Sequence, residues 1–308
     1  MKHCSQQTLS NIKSLPTFRE LYNKINPVLC DVSLRDGLQN AKIENYPTEH
    51  KKKVFQNIMK MENPVKIEVG SLTSYRILPI MKDSIEMYNY ALDHVNQNNL
   101  NTDIYVLVPS LSKLNLAIRN KIKNYSFITS TSNAFQLRNT CRTLDRTKKE
   151  LTEIMERLGD MKCNKKLYIS CVDNCPITGK IDKGDIVKEL LYYNTNYNFD
   201  EICLSDTCGN LSFENFFYII ENATYLGIPV NKLSLHLHIS NENMENIKKI
   251  IKYCFENEIN KFDISTLDTG GCSITIENKK ILPNLSYGVF YSILYEYIYE
   301  KINSKQKL

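Results

Sequence analysis

Two histidines separated by one leucine, His236-Leu237-His238, end a short apolar run, and this spacing is the sharpest chemical signal in the chain. Side chains on a strand alternate between faces, so both imidazoles share one face and can ligate a single ion. A carboxylate such as Asp36 would complete a set of three protein ligands. Imidazole, carboxylate and water together suit Mg²⁺, Mn²⁺ or Zn²⁺, and can also hold Fe²⁺. The bland alternative is a pair of hydrogen-bonded histidines in a wet pocket. The chain has only five histidines, and two of them at this spacing favour a metal site.

Other polar residues stand where burial would make them costly. Glu68 lies mid-run in Lys66-Ile67-Glu68-Val69-Gly70, and a buried carboxylate needs a cation beside it. Arg35 is the expected partner. Arg35 and Asp36 also have a plainer reading, an exposed ion pair in a turn, worth little. Asp206-Thr207 follow another apolar run. Cys272, after Gly270-Gly271, is either a small residue in a tight loop or a thiol aimed at the same place.

The elements that must position these groups can be counted. Short β-rich runs occur at Val28-Leu34, Val65-Gly70, Asp103-Val108, Tyr125-Thr129, Leu167-Val172, Glu201-Ser205, Leu233-His238 and Phe262-Leu267. Between them lie amphipathic stretches at Glu49-Met61, Ile80-Asn96, Arg142-Met161, Lys183-Tyr193, Phe213-Leu226 and Asn243-Asn257, with apolar residues three and four apart. Alternating strands and helices call for a parallel sheet covered by helices. Eight units in about 250 residues predict an α/β protein of the (β/α)8 TIM-barrel class, whose active sites lie at the C-terminal ends of the strands. An open doubly wound sheet would want a glycine fingerprint after the first strand, and none is there. No Pro-rich or Gly/Ser-rich linker divides the chain. We therefore expect a short N-terminal extension over residues 1–27 and one barrel over residues 28–308. Arg35, Asp36, Glu68, Asp206, His236, His238 and Cys272 then converge on one mouth.

Composition bounds the rest. Apolar residues make up 42% and charged residues 24% of the chain, ordinary for a globular protein. The net charge of +5 is spread along the sequence, and clusters such as Lys51 to Lys53 read as a solvated helix face, not a nucleic-acid site. Ten cysteines lack the paired spacing of zinc sites, and they read as mostly buried thiols of an intracellular protein. No run approaches the roughly 18 apolar residues that span a bilayer, so no membrane partner is expected. The expected compartment is the cytoplasm. A mitochondrial transit peptide is only faintly suggested by the N-terminus, and a peroxisomal signal only by Gln306-Lys307-Leu308.

The stretch Ser33-Leu34-Arg35-Asp36-Gly37-Leu38-Gln39-Asn40-Ala41-Lys42 closely resembles the signature of hydroxymethylglutaryl-CoA lyases. Similarity continues in order through Glu68 with Ser71, Ser170-Cys171 with Cys175-Pro176, Gly179-Lys180, Asp206-Thr207 with Gly209, His236 with His238, and Gly270-Gly271-Cys272. The resemblance implies a divalent-metal barrel enzyme, with Mg²⁺ or Mn²⁺, that splits hydroxymethylglutaryl-CoA into acetyl-CoA and acetoacetate. It implies Asp36, His236, His238 and an Asn as ligands; Asn284, followed by Leu285, matches better than Asn278. Arg35 would hold the thioester oxygen, Glu68 would fix Arg35, and Cys272 would be the loop acid. Gln39, Lys42, Ser71, Asp206 and Thr207 would meet the acyl-CoA substrate. A homodimer is implied as well.

Departures from the pattern accompany it. The loop from Ser273 to Asn278 lacks the family's glycines and runs longer, Ala41 replaces a Glu, and Ser110 replaces an Asn. Two rival functions follow. A synthase of the same superfamily, condensing acetyl-CoA with a 2-oxo acid, should carry Glu at the place of Leu38. A barrel that has lost catalysis and only binds would fit the altered loop.

Overall fold

All eight β-rich runs form strands, and the strands close on one another. The computed structural model describes residues 16–271 and 281–305. Its strands are β1 (Val28–Asp31), β2 (Lys66–Ser71), β3 (Asp103–Leu107), β4 (Asn124–Ser130), β5 (Asn164–Ser170), β6 (Glu201–Ser205), β7 (Leu233–His236) and β8 (Lys261–Ile264). Each pairs in parallel with its neighbours in sequence, and β8 pairs with β1 in register Val28↔Lys261 to complete the barrel. The expected (β/α)8 class is borne out.

The helices are α1 (Pro16–Ile25), α2 (Thr48–Met61), α3 (Ser84–Gln97), α4 (Leu111–Arg119), α5 (Asn133–Thr140), α6 (Leu144–Leu158), α7 (Lys183–Asn196), α8 (Phe213–Tyr225), α9 (Met244–Glu256) and α10 (Tyr287–Lys305), and α2, α3, α6, α7, α8 and α9 fall on the six amphipathic stretches. Several start where a side chain satisfies the free backbone donors of the first turn. Ser110, Ser132, Thr143, Asp182 and Ser212 each accept such a bond, at α4, α5, α6, α7 and α8 in turn. Ile247, Ile250, Ile251 and Cys254 of α9 are buried, as their spacing requires. Helix α1 packs on α10, with the Phe18 and Tyr295 rings 5.3 Å apart. No helix among the described residues is long and apolar enough to cross a membrane.

Three local differences matter for the site. Strand β1 stops at Asp31, and Ser33–Gly37 form a single π-helical turn, a wide turn often found at functional sites. Strand β7 stops at His236, leaving His238 in an isolated bridge with Asn284. A two-stranded hairpin, Asn174–Cys175 with Gly179–Lys180, leaves the barrel after β5. All five residues of the π turn are buried, so Arg35 and Asp36 are held inward rather than exposed as a surface pair.

Candidate active site

The π turn after β1 turns Arg35 and Asp36 toward the barrel axis, where strands β2, β4, β5 and β7 supply their neighbours. Arg35 Nε donates to Glu68 Oε2 at 2.5 Å, and Arg35 Nη1 to Asp36 Oδ1 at 2.6 Å. Glu68 also accepts from Ser126 Oγ, and from the Tyr168 hydroxyl at 3.2 Å. The Arg35 guanidinium lies 4.9 Å from the centroid of the Tyr168 ring. Burial by itself would weaken the Arg35 charge, but Glu68 and Asp36 hold its pKa well above the usual guanidinium value. It is a fixed, buried cation.

Asp36 Oδ2 faces the two histidines, 3.7 Å from His236 Nε2 and 3.9 Å from His238 Nε2. Burial opposes ionisation of Asp36, yet Arg35 and the imidazoles together hold its carboxyl well below the usual carboxylate range. The gaps to the histidines are too long for hydrogen bonds and fit atoms that share an ion. One ligand atom from each of Asp36, His236 and His238 lies within 4.8 Å of the others. His238 Nδ1 bonds the Asp206 carbonyl at 2.9 Å, which turns Nε2 inward. That Nε2, and both side-chain polar atoms of Asn284, are buried without a hydrogen-bond partner among the described residues. Orphaned polar atoms of this kind cost free energy unless something meets them. A cation among Asp36, His236, His238 and Asn284 would satisfy the His238 nitrogen and the Asn284 oxygen at once.

The set forms one wall of a cavity of about 330 Å³. Arg35, Gln39, Ser71, Thr207, His236, His238 and Asp36 line it, and Leu107, Ile128 and Phe135 form an apolar side. Ser110, the departure after β3, lines it too, while its hydroxyl caps α4. Lys42 is exposed and does not line this cavity. Asp206 is buried behind the wall; its carboxylate accepts from the backbone N–H groups of Asn210 and Leu211, and burial raises its pKa to about 6. Cys272 and Asn278 lie outside the described residues.

Residues 26–256 match the model of the HMGL-like family. The chain belongs to that family. It is 27% identical over 212 residues, 68% of its length, to the mitochondrial hydroxymethylglutaryl-CoA lyase of Bos taurus, of which the match covers 62%. It is 27% identical to the 3-hydroxy-3-isohexenylglutaryl-CoA/hydroxy-methylglutaryl-CoA lyase of Pseudomonas aeruginosa, over 79% of this chain and 77% of that one. The crystal structure of the HMG-CoA lyase from Brucella melitensis superimposes with a TM-score of 0.75 at 20% identity, covering 88% of this chain and 90% of that one. That likeness speaks for the fold.

In this HMGL-like protein the structure adds residues that were not singled out in the sequence. Tyr168 contacts Arg35, Glu68 and His236, and Asp263 Oδ2 meets His236 Nδ1 at 3.1 Å. The signal for Asp263 was present: like Glu68, it is a carboxylate within an apolar strand, Lys261-Phe262-Asp263-Ile264. Tyr168 had no such signal, because a tyrosine in a strand needs no special partner.

The Gly270-Gly271 pair presses on the site. A Cβ at Gly270 would stand 2.5 Å from Asn284 Nδ2 and 2.7 Å from its Cγ. Gly270→Ala must therefore push Asn284 aside. It is expected to weaken Mn²⁺ binding about tenfold, in the range seen when metal-site supports are lost, as read by titration of the metal-free protein. Unchanged binding would remove Asn284 from the ligand set.

Proposed function

We propose that this chain is a metal-dependent carbon–carbon lyase acting on a 3-hydroxy-3-methylglutaryl-CoA-like thioester to yield acetyl-CoA and acetoacetate. The observation that carries the reading is the meeting of Asp36, His236 and His238 beside a buried guanidinium on one cavity wall. Asp36, His236, His238 and Asn284 would hold a divalent cation, Mg²⁺ or Mn²⁺, which would supply Lewis acidity to the substrate's oxygens.

The chain's own groups account for the other demands of the reaction. Asp36 accepts the hydroxyl proton; His236, with Nε2 turned to the ion and Nδ1 on Asp263, has no lone pair left for it. The electron pair of that O–H bond forms the ketone of acetoacetate as the carbon–carbon bond breaks, leaving the acetyl-CoA enolate. Its negative charge gathers on the thioester oxygen, which Arg35 stabilises from a position locked by Glu68. Cys272 returns a proton to the enolate carbon. Gln39, Ser71 and Thr207 contact the substrate from the cavity wall, and Lys42, exposed outside that wall, meets its CoA part. Asp206 contributes by holding the loop that carries Thr207 and, through its carbonyl, His238.

Residues 28–308 act as one catalytic domain behind an extension at 1–27, and the working form is a homodimer. The buried thiols of Cys30, Cys203 and Cys254 fit a cytoplasmic setting.

Incubating the purified protein with hydroxymethylglutaryl-CoA and Mn²⁺ should release acetoacetate and acetyl-CoA in equal amounts. Consumption of acetyl-CoA with a 2-oxo acid would favour the synthase instead. Tight binding of CoA thioesters without any turnover would mark a binding protein and end the lyase reading.

A further inference from the structure

We propose that Asp263 is a positioning residue for His236, braced by Lys166 at the end of a buried line of alternating charges in the barrel core. The proposal rests on the reading of His236 as a metal ligand.

The line begins at the site and crosses five strands. His236 Nδ1 on β7 meets Asp263 Oδ2 on β8 at 3.1 Å. Asp263 Oδ1 pairs with Lys166 Nζ on β5. Lys166 Nζ reaches Glu201 Oε1 on β6 at 3.0 Å, and Lys66 Nζ on β2 reaches Glu201 Oε2 at 2.5 Å. Asp263, Lys166 and Glu201 are 2%, 1% and 3% exposed. Apolar side chains of like volume would fill a barrel core without the desolvation cost of charges, so this arrangement needs a reason other than stability.

Orientation of His236 supplies one. A carboxylate only accepts, so the proton of neutral His236 sits on Nδ1 and the lone pair of Nε2 is left facing Asp36. Asp263 cannot swing away without breaking its pair with Lys166, and Lys166 is tied in turn to Glu201. His238 is oriented differently, by the carbonyl of Asp206. One ligand is thus held by a charged group and the other by a neutral one.

Asp263→Asn tests the idea. Lys166 holds the amide oxygen, which presents the amide NH₂ to His236 Nδ1 and favours the wrong tautomer. Mn²⁺ binding to the metal-stripped protein, followed by electron paramagnetic resonance, should weaken about 10- to 100-fold. Lys166→Met should weaken it in the same direction, and Lys166→Arg should stay within a few-fold of wild type. Affinity of Asp263→Asn within twofold of wild type overturns the proposal alone. A wild-type protein that binds no Mn²⁺ overturns it together with the metal reading. Should the variants not fold, nitrogen NMR of the wild-type imidazoles in the Mg²⁺-loaded protein decides: a proton on His236 Nδ1 is expected, and one on Nε2 overturns the assignment.

Discussion

Arg35→Met is expected to lower kcat by about two to three orders of magnitude, the loss typical when one fixed donor to a developing oxyanion is removed. The reason lies in where the guanidinium is held. Two of its nitrogens are bound to carboxylates at 2.5 and 2.6 Å, and Tyr168 lies beneath it. It would therefore meet the enolate oxygen of the proposed reaction without first having to be ordered. Methionine keeps the bulk and removes the charge. It also leaves Glu68 buried with only Ser126 and Tyr168 as donors among the described residues, so the variant should lose stability as well. Thermal unfolding in parallel with steady-state kinetics separates the two effects, since lost stability alone lowers the fraction folded and leaves kcat per folded molecule intact. Arg35→Lys should fall between, because an ammonium cannot hold both carboxylates in a fork. A kcat for Arg35→Met within tenfold of wild type would take Arg35 out of the chemistry.

Chelation should have the larger effect of the two. Protein stripped of divalent ions is expected to show no measurable cleavage, and Mg²⁺ or Mn²⁺ should restore it. The structural motive is the set of buried atoms that nothing among the described residues satisfies: His238 Nε2 with Asn284 Oδ1 and Nδ2. An ion bound only by the folded state also raises unfolding free energy, by about 2.7 kcal/mol at a hundred times its dissociation constant. The melting temperature should therefore climb with added Mn²⁺, and His238→Ala should flatten that climb. Full activity after chelation, with no thermal response to Mn²⁺, would remove the ion from this site and the lyase mechanism with it.

The fold was legible because its signals are local and repeated. Each β-rich run is short, each helix between them buries a stripe, and eight repetitions leave little choice of architecture. Helices α4 and α5, of nine and eight residues, escaped notice because so short a stretch shows barely two turns of periodicity. Helix α10 escaped for another reason. Phe290, Ile293, Leu294, Tyr297 and Ile298 are buried while partly buried tyrosines cover other sides, so no single stripe stands out.

For the site, the residue types and their order were enough to nominate Asp36, His236 and His238 and to pair Glu68 with Arg35. Those choices rest on covalent spacing and on the cost of burying a charge, both of which a linear chain displays. Tertiary structure alone decided that Ser33–Gly37 coil into a π turn facing the axis, that Asp206 turns its carboxylate to the backbone, and that Asp263 stands behind His236. Only the last joins residues far apart along the chain; the other two are local bonds, but which way they turn is set by barrel closure and side-chain direction, and no sequence pattern encodes it.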